Sequence, residues 1–269
     1  MSGDMFSLKG RAAIITGASR GLGRYMAKAL AQAGADVAVT SRTTDSLKGT
    51  CSEIEAMGVK ALPIELDVRS HDSIKNAISA AVGEFGKLDI AVCNAGMNIR
   101  KHAADIEWDE YNAIMDTNLR GAFFTAQEAA RQSMLKNRYG RIITIGSANC
   151  LRPMSFCSVY AASRMGVVQM TKAMAGDWGS YGITVNCIGP GWFPTEQTKT
   201  AVDDPKWRDG VLAQTPAGRF GGEHDLDGTV VFLASNAAPY LTGQLIMVDG
   251  GFSLGDLETP SNVPCSKYM

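Results

Sequence analysis

Ser147, Tyr160 and Arg164 are the residues whose types and spacing most directly allow chemistry. A phenol has a pKa of about 10 in water, so a tyrosine exchanges protons near neutrality only where a cation favours its phenolate. In the run Tyr160-Ala161-Ala162-Ser163-Arg164, a helix puts the guanidinium one turn from the phenol on the same face. Arginine brings permanent charge and donors that reach ribose hydroxyls, but it does not give up a proton at ordinary pH. Ser147 follows the apolar run 141–146, where the carboxyl edge of a parallel sheet opens into a ligand crevice.

A second chemical feature follows the first apolar run, 12–15. Thr16-Gly17-Ala18-Ser19-Arg20-Gly21-Leu22-Gly23 opens a helix, and its glycines permit a tight turn against a pyrophosphate. The helix N-terminus then offers free N–H groups and a positive dipole end to that anion. The second strand ends in Thr40-Ser41-Arg42 with no carboxylate before Asp45, whereas an NAD site usually holds the ribose there with an acid. Arg20 and Arg42 suit a 2′-phosphate, which favours NADP(H); the other reading makes both arginines solvated surface charges. Asp67 and Val68, just past the third strand, are placed to touch the adenine.

Short apolar runs alternate with helical patterns along the whole chain. Strands are expected at 12–15, 37–40, 61–66, 88–93, 141–146, 184–188 and 244–248. Helices are expected over 22–32, 46–57, a stretch after Ser70, 108–135, 159–178 and 226–234. Strands apolar throughout are buried on both faces, and repeated β-α-β order gives right-handed crossovers. The expectation is an α/β protein: one Rossmann-type, doubly wound parallel sheet with helices on both faces, a single domain over 1–269. A long loop at 190–222 is a candidate substrate lid, and 252–269 reads as a polar tail.

Composition bounds the partners. Of 269 residues 45% are apolar and 20% charged, and the net charge of -1 points away from nucleic acid and anionic membranes. The first residues carry no secretory pattern, and no stretch reaches the roughly 18 apolar residues of a membrane span. Six scattered cysteines without a C-x-x-C pair read as reduced thiols, and three distant histidines argue against a metal site. A cytoplasmic location is the expectation. Cys150 and Cys157 read as small apolar residues lining the pocket between Ser147 and Tyr160.

Together, Thr16 to Gly23, Asn94-Ala95-Gly96, Asn118, Ser147, Tyr160 and Pro190-Gly191 resemble the short-chain dehydrogenase/reductase family, over about 9–251. The resemblance implies that Ser147 orients the substrate oxygen, Tyr160 exchanges the proton and Asn118 holds a relay water. It also implies that Asn94, Ala95 and Gly96 support the cofactor, with Pro190, Gly191 and Thr195 beside the nicotinamide. The family has lysine where this chain has Arg164, which puts the relay in question. A homotetramer is implied, with the helices near 108–135 and 159–178 paired across an interface.

The segments 98–100, 192–196 and 215–220 look most like the gluconate 5-dehydrogenase and polyol dehydrogenase branch. Trp192, Phe193 and Trp207 read as pocket walls or as lid aromatics packed on the body. Arg100 reads either as a partner for a substrate carboxylate or as a solvated loop charge. The expected activity is thus carbonyl/alcohol interconversion on a small-molecule ketone, polyol or sugar-acid substrate. Two alternatives stand beside it. A Ser-Tyr-Arg set also resembles the haloalcohol dehalogenases, in which a bulky aromatic blocks the glycine loop where this chain has Gly21. A dinucleotide-binding sensor or scaffold without turnover is favoured by Arg164 alone.

Overall fold

Where every residue of a short run is apolar, as in Ala12–Ile15 (β1), a strand can rest only between two covered faces. The computed structural model describes residues 4–196 and 198–255. In it β1 is joined by β2 (Asp36–Ser41), β3 (Ala61–Glu65), β4 (Ile90–Cys93), β5 (Gly140–Ile145), β6 (Ile183–Pro190) and β7 (Leu245–Val248). All pairings are parallel, in the order β3-β2-β1-β4-β5-β6-β7. β1, β4, β5 and β6 are buried from end to end.

Adjacent residues point to opposite faces of this sheet and seed two cores. Ile15 and Val39 pack with Leu30 of α1 (Gly21–Gln32), Ile54 of α2 (Lys48–Glu55) and Val230 near the chain's end. Ile14 and Ile142 face the other way, against Ile78 of α3 (His71–Phe85). On that side α4 (Trp108–Met115), α5 (Gly121–Ala129) and α6 (Leu135–Asn137) run on through π-helical turns at Asp116–Arg120 and Ala130–Met134. α7 (Ser158–Trp178) packs beside them, with Val167 and Met174 in the same core.

The segment expected to be a loop at 190–222 instead holds α8 (Lys199–Val202) and α9 (Pro205–Ala213). Asp204 caps α9 by accepting from the N–H groups of Lys206 and Trp207, with Pro205 in the first turn. α10 (Asp227–Ala234) then covers the sheet. The region 46–57 begins as a 3-10 turn, Thr44–Leu47, before α2. The tail needs correction at its start: Phe252 is 3% exposed, in a turn whose N–H groups at Gly251 and Ser253 donate to Asp249. Residues 256–269 lie outside the described chain.

Candidate active site

The registers bring strand ends to a common edge: Ile15 lies opposite Val92, Cys93 opposite Thr144, and Ile145 opposite Ile188. Strand order reverses between β1 and β4, the place where open α/β sheets leave a crevice. A cleft of about 620 Å³ occupies it.

The glycine turn is held by side chains bonded to its backbone. Thr16 Oγ1 accepts from the N–H groups of Asn94 and Ala95, each at 2.9 Å. Asn94 Nδ2 donates to the carbonyl oxygens of Thr16 at 2.8 Å and Gly17 at 3.1 Å. The Ala18 N–H donates to Thr40 O at 2.9 Å, and Thr50 Oγ1 donates to Ala18 O at 3.1 Å. A β-carbon at Gly23 would collide with the Gly17 carbonyl, so helix and turn can approach this closely only with glycine. Gly17, Ser19, Arg20, Gly21, Leu22, Gly23, Asn94, Ala95 and Gly96 all line the cleft.

Ser41, Arg42, Asp67 and Val68 continue the wall past β2 and β3, joined by Arg69. Arg69 binds Asp67 through two nitrogens and holds its carboxyl below the usual carboxylate range, ahead of a smaller pull from Arg42. Arg20 pairs with Glu196 across the cleft, both side chains being about two-thirds exposed. Pro190, Gly191 and Thr195 line the far wall, and Thr195 N–H donates to Thr198 Oγ1 at 2.9 Å.

Ser147 and Tyr160 also line the cleft. Ser147 is 8% exposed, and its hydroxyl accepts from the Asn149 N–H at 3.1 Å, fixing it at the end of β5. Arg164, 5% exposed, reaches back along α7 with its guanidinium carbon 5.3 Å from the centre of the Tyr160 ring. Its Nη1 donates to Ile145 O at 2.8 Å, while its buried Nε has no partner in the protein. Gly96 makes room for it: a β-carbon there would run into Arg164 Nη2.

Asn118 lies behind the cleft rather than in its wall. It sits in a π-helical turn, fully buried, donating to Met97 O at 2.9 Å and Ser163 Oγ at 3.0 Å. Its Oδ1 accepts from the Met97 N–H at 2.8 Å, and Ser163 Oγ donates to Tyr160 O at 2.7 Å. A continuous brace therefore links the loop after β4 to the turn that carries Tyr160.

The two cysteines expected in the pocket separate. Cys157 lines the cleft, but Cys150 does not: it is packed behind Gly146 near Cys187. Burial pushes the thiols of Cys150 and Cys187 up, Cys187 to about 11, with the Arg164 charge acting weakly against it in both. Trp192 and Phe193 are wall residues, whereas Trp207 backs Trp192 at 4.6 Å between ring centres. Arg100 lies over the Trp192 ring, 5.6 Å from its centre. Sequence reading missed Leu66, Arg69, Met97, Thr117 and Asn149 in the wall, while Glu196 and Thr198 fall within the lid it expected. Each adjoins an expected site residue or loop, which was the available signal. Among the described residues, no group of three or more His, Cys, Asp or Glu is placed to hold a metal ion.

A doubly wound sheet with a glycine turn and its cleft at the strand-order reversal is an architecture that binds dinucleotides. Residues 17–253 match the family model described as enoyl-(acyl carrier protein) reductase, and the chain belongs to the short-chain dehydrogenase/reductase family. It is 38% identical over 251 residues to gluconate 5-dehydrogenase of Gluconobacter oxydans, covering 93% of this chain and 98% of that one. It is equally 38% identical over 245 residues to the 3-oxoacyl-[acyl-carrier-protein] reductase FabG of Salmonella typhimurium, covering 91% and 98%. The crystal structure of a gluconate 5-dehydrogenase from Burkholderia cenocepacia in complex with NADP and tartrate superposes with a TM-score of 0.90 at 37% identity, covering 94% of this chain and 99% of that one.

Proposed function

We propose that this protein is an NADP(H)-dependent oxidoreductase that interconverts an alcohol and a carbonyl on a polyol or sugar-acid substrate. The observation that carries the reading is the convergence of the glycine turn with Ser147, Tyr160 and Arg164 on one cleft. The cleft fits a dinucleotide on its own terms. Gly23 permits the close helix–turn approach, α1 presents its N-terminus without an acidic residue in its first turn, and Arg164 Nε is a buried donor with no partner. NADP in the Burkholderia structure supports the same cofactor here. Gly17 to Gly23 would hold the pyrophosphate, Ser41, Arg42 and Arg20 the 2′-phosphate, Asp67 and Val68 the adenine, and Gly191 and Thr195 the nicotinamide. The bound cofactor supplies or accepts a hydride.

The chain's own residues move the proton and hold the oxygen. Ser147 hydrogen-bonds the reacting oxygen, and the Tyr160 hydroxyl gives or takes its proton. Arg164 stabilises the negative charge that then sits on the phenol. Asn118 acts as a brace through Met97 and Ser163. Arg100 has no carboxylate partner among the described residues and is the candidate for a substrate carboxylate. The segment 190–222 serves as the lid. An apolar groove of about 560 Å³ along α4, α5 and α7, lined by Leu119, Phe123 and Met170, supports pairing of these helices between copies in a tetramer. No helix among the described residues is long and apolar enough to cross a membrane.

The test is the change in near-ultraviolet absorbance as purified protein meets D-gluconate with NADP+ or NAD+. Formation of reduced cofactor, faster with NADP+, is expected. Halide release from a vicinal haloalcohol without cofactor would replace this reading with the dehalogenase one. Tight cofactor binding with no turnover over a panel of polyols would replace it with the sensor.

A further inference from the structure

Besides Arg164 Nε, two buried polar atoms of cleft-lining residues have no partner in the protein: the Asn98 side-chain oxygen and the Trp192 indole nitrogen. A buried polar group left unpaired costs ~1–3 kcal/mol, so a folded protein keeps few of them. Neither side chain is free to turn away. Asn98 Nδ2 donates to Cys157 Sγ at 3.5 Å. The Trp192 ring is held between Trp207 at 4.6 Å, Phe252 at 6.1 Å and the Arg100 guanidinium, and its carbonyl accepts from the Gly221 N–H at 2.8 Å.

Their positions in the sheet give the two atoms a common meaning. Asn98 follows β4 and Trp192 follows β6, and β5, which ends two residues before Ser147, lies between them. The strand that leads to Ser147 is therefore flanked by two loops, each carrying one unmet polar group. An indole N–H donates and must be met by an acceptor. An asparagine with its Nδ2 committed must be met by a donor, and with its amide turned over it would need an acceptor. A hydroxyl satisfies both orientations.

We infer that Asn98 and Trp192 are specificity-determining residues that select a carbonyl or alcohol flanked on both sides by oxygen-bearing carbons. A ketone between bare methylenes leaves both groups unpaired and is rejected. This rests on the carbonyl/alcohol reading above and narrows it. It separates a polyol acid from a 3-oxoacyl chain, the substrate classes in the names of two relatives of equal identity. Sites that hydrogen-bond a hydroxyl reject the analogue lacking it by up to ~10⁴–10⁵-fold, whereas a missing methylene changes selection by only ~10–200-fold.

The experiment compares kcat/KM for 5-keto-D-gluconate and ethyl acetoacetate, with NADPH, in wild type, Asn98→Leu and Trp192→Phe. Melting temperatures verify folding, and Asn98→Ala replaces Asn98→Leu if the latter is misfolded. Wild type is expected to prefer the polyol ketone by at least ~100-fold, and each variant to cut that ratio at least ~10-fold, chiefly through KM. Calorimetric titration of tartrate into the NADP+-loaded protein gives a readout that needs no turnover, and its affinity is expected to fall in both variants. A ratio unmoved by both substitutions, or a wild type that prefers ethyl acetoacetate, overturns the inference. If neither ketone is reduced but tartrate binding still weakens in both variants, the redox reading fails and the polar selection stands.

Discussion

At the glycine-turn end of the cleft, the polar groups of the turn bond to one another. Thr16, Asn94 and the carbonyl of Gly17 satisfy each other, and Ala18 is tied to β2 and α2. At the Trp192 end, Asn98 Oδ1 and Trp192 Nε1 are buried without partners, and rings and loops rather than strands hold them. The first end is closed by its own side-chain-to-backbone bonds and leaves none to be completed, which suits a ligand shared across a family. The second leaves its hydrogen bonds to be completed by what enters, which suits selection among substrates. Arg164 stands between, bonded to Ile145 on one side and open at Nε on the other.

Breaking the chemistry while sparing both ends should give the largest effect. Tyr160→Phe removes the transferable proton and is expected to lower kcat by ~10²–10⁴-fold. Calorimetric affinities for cofactor should stay close to wild type; near-normal kcat would remove Tyr160 from its role.

A smaller effect should follow from disturbing the junction. In Gly96→Ala the new methyl displaces the Arg164 guanidinium, and a loss of roughly 10–100-fold in kcat/KM, the worth of one charge-assisted contact, is expected. Adding Arg164→Lys, whose ammonium is narrower, should restore part of the rate. A double variant no better than Gly96→Ala would show that crowding at Arg164 is not the cause.

Glu196→Gln sharpens the contrast at the glycine-turn end, since it releases Arg20 from an exposed ion pair. Such pairs are worth ~0–1 kcal/mol, so NADPH affinity should rise by no more than about fivefold, with NADH affinity unchanged. Equal gains for both cofactors would separate Arg20 from the 2′-phosphate.

The smallest effect concerns the lid's anchor. Asp225 accepts from Arg219 at both oxygens and from the Gly222 N–H, and its carboxyl is held down to about 2, first by Arg219. A depressed carboxylate stabilises the fold above the ordinary carboxylate range, and that contribution is lost as pH falls through about 2. With Arg219 well exposed, the effect is below ~1 kcal/mol. Asp225→Asn should therefore lower the melting temperature slightly at pH 7 and flatten its fall on acidification.

The sheet was legible because β1, β4, β5 and β6 are buried on both faces, and burial of that kind writes apolar runs into the chain. The glycine turn and the Tyr160–Arg164 pair were legible because local spacing defines them. α9 was missed although Asp204-Pro205 is a helix-start signal, since nine residues between lid segments carry little periodicity. Phe252 read as the start of a tail because its burial depends on Trp192, sixty residues earlier in the chain. Cys150 was misplaced for a related reason. It follows Ser147 closely, but the 3-10 turn Ala148–Cys150 directs it behind Gly146. The unpartnered atoms of Asn98 and Trp192 are relations between distant loops, and no local pattern records them.

The π-helical turn at Asp116–Arg120 makes chain length a control on rotation. An α-helix advances about 100° per residue, so the wider turn absorbs part of that advance without ending the helix. Deleting one residue there would let an ordinary helix form with the faces of α4 and α5 nearly kept, because the wide turn is what takes up the extra residue. What would be lost is the bulge that carries Asn118 to Met97 and Ser163. A length change that the flanking helices would tolerate is thus felt first at the brace behind Tyr160.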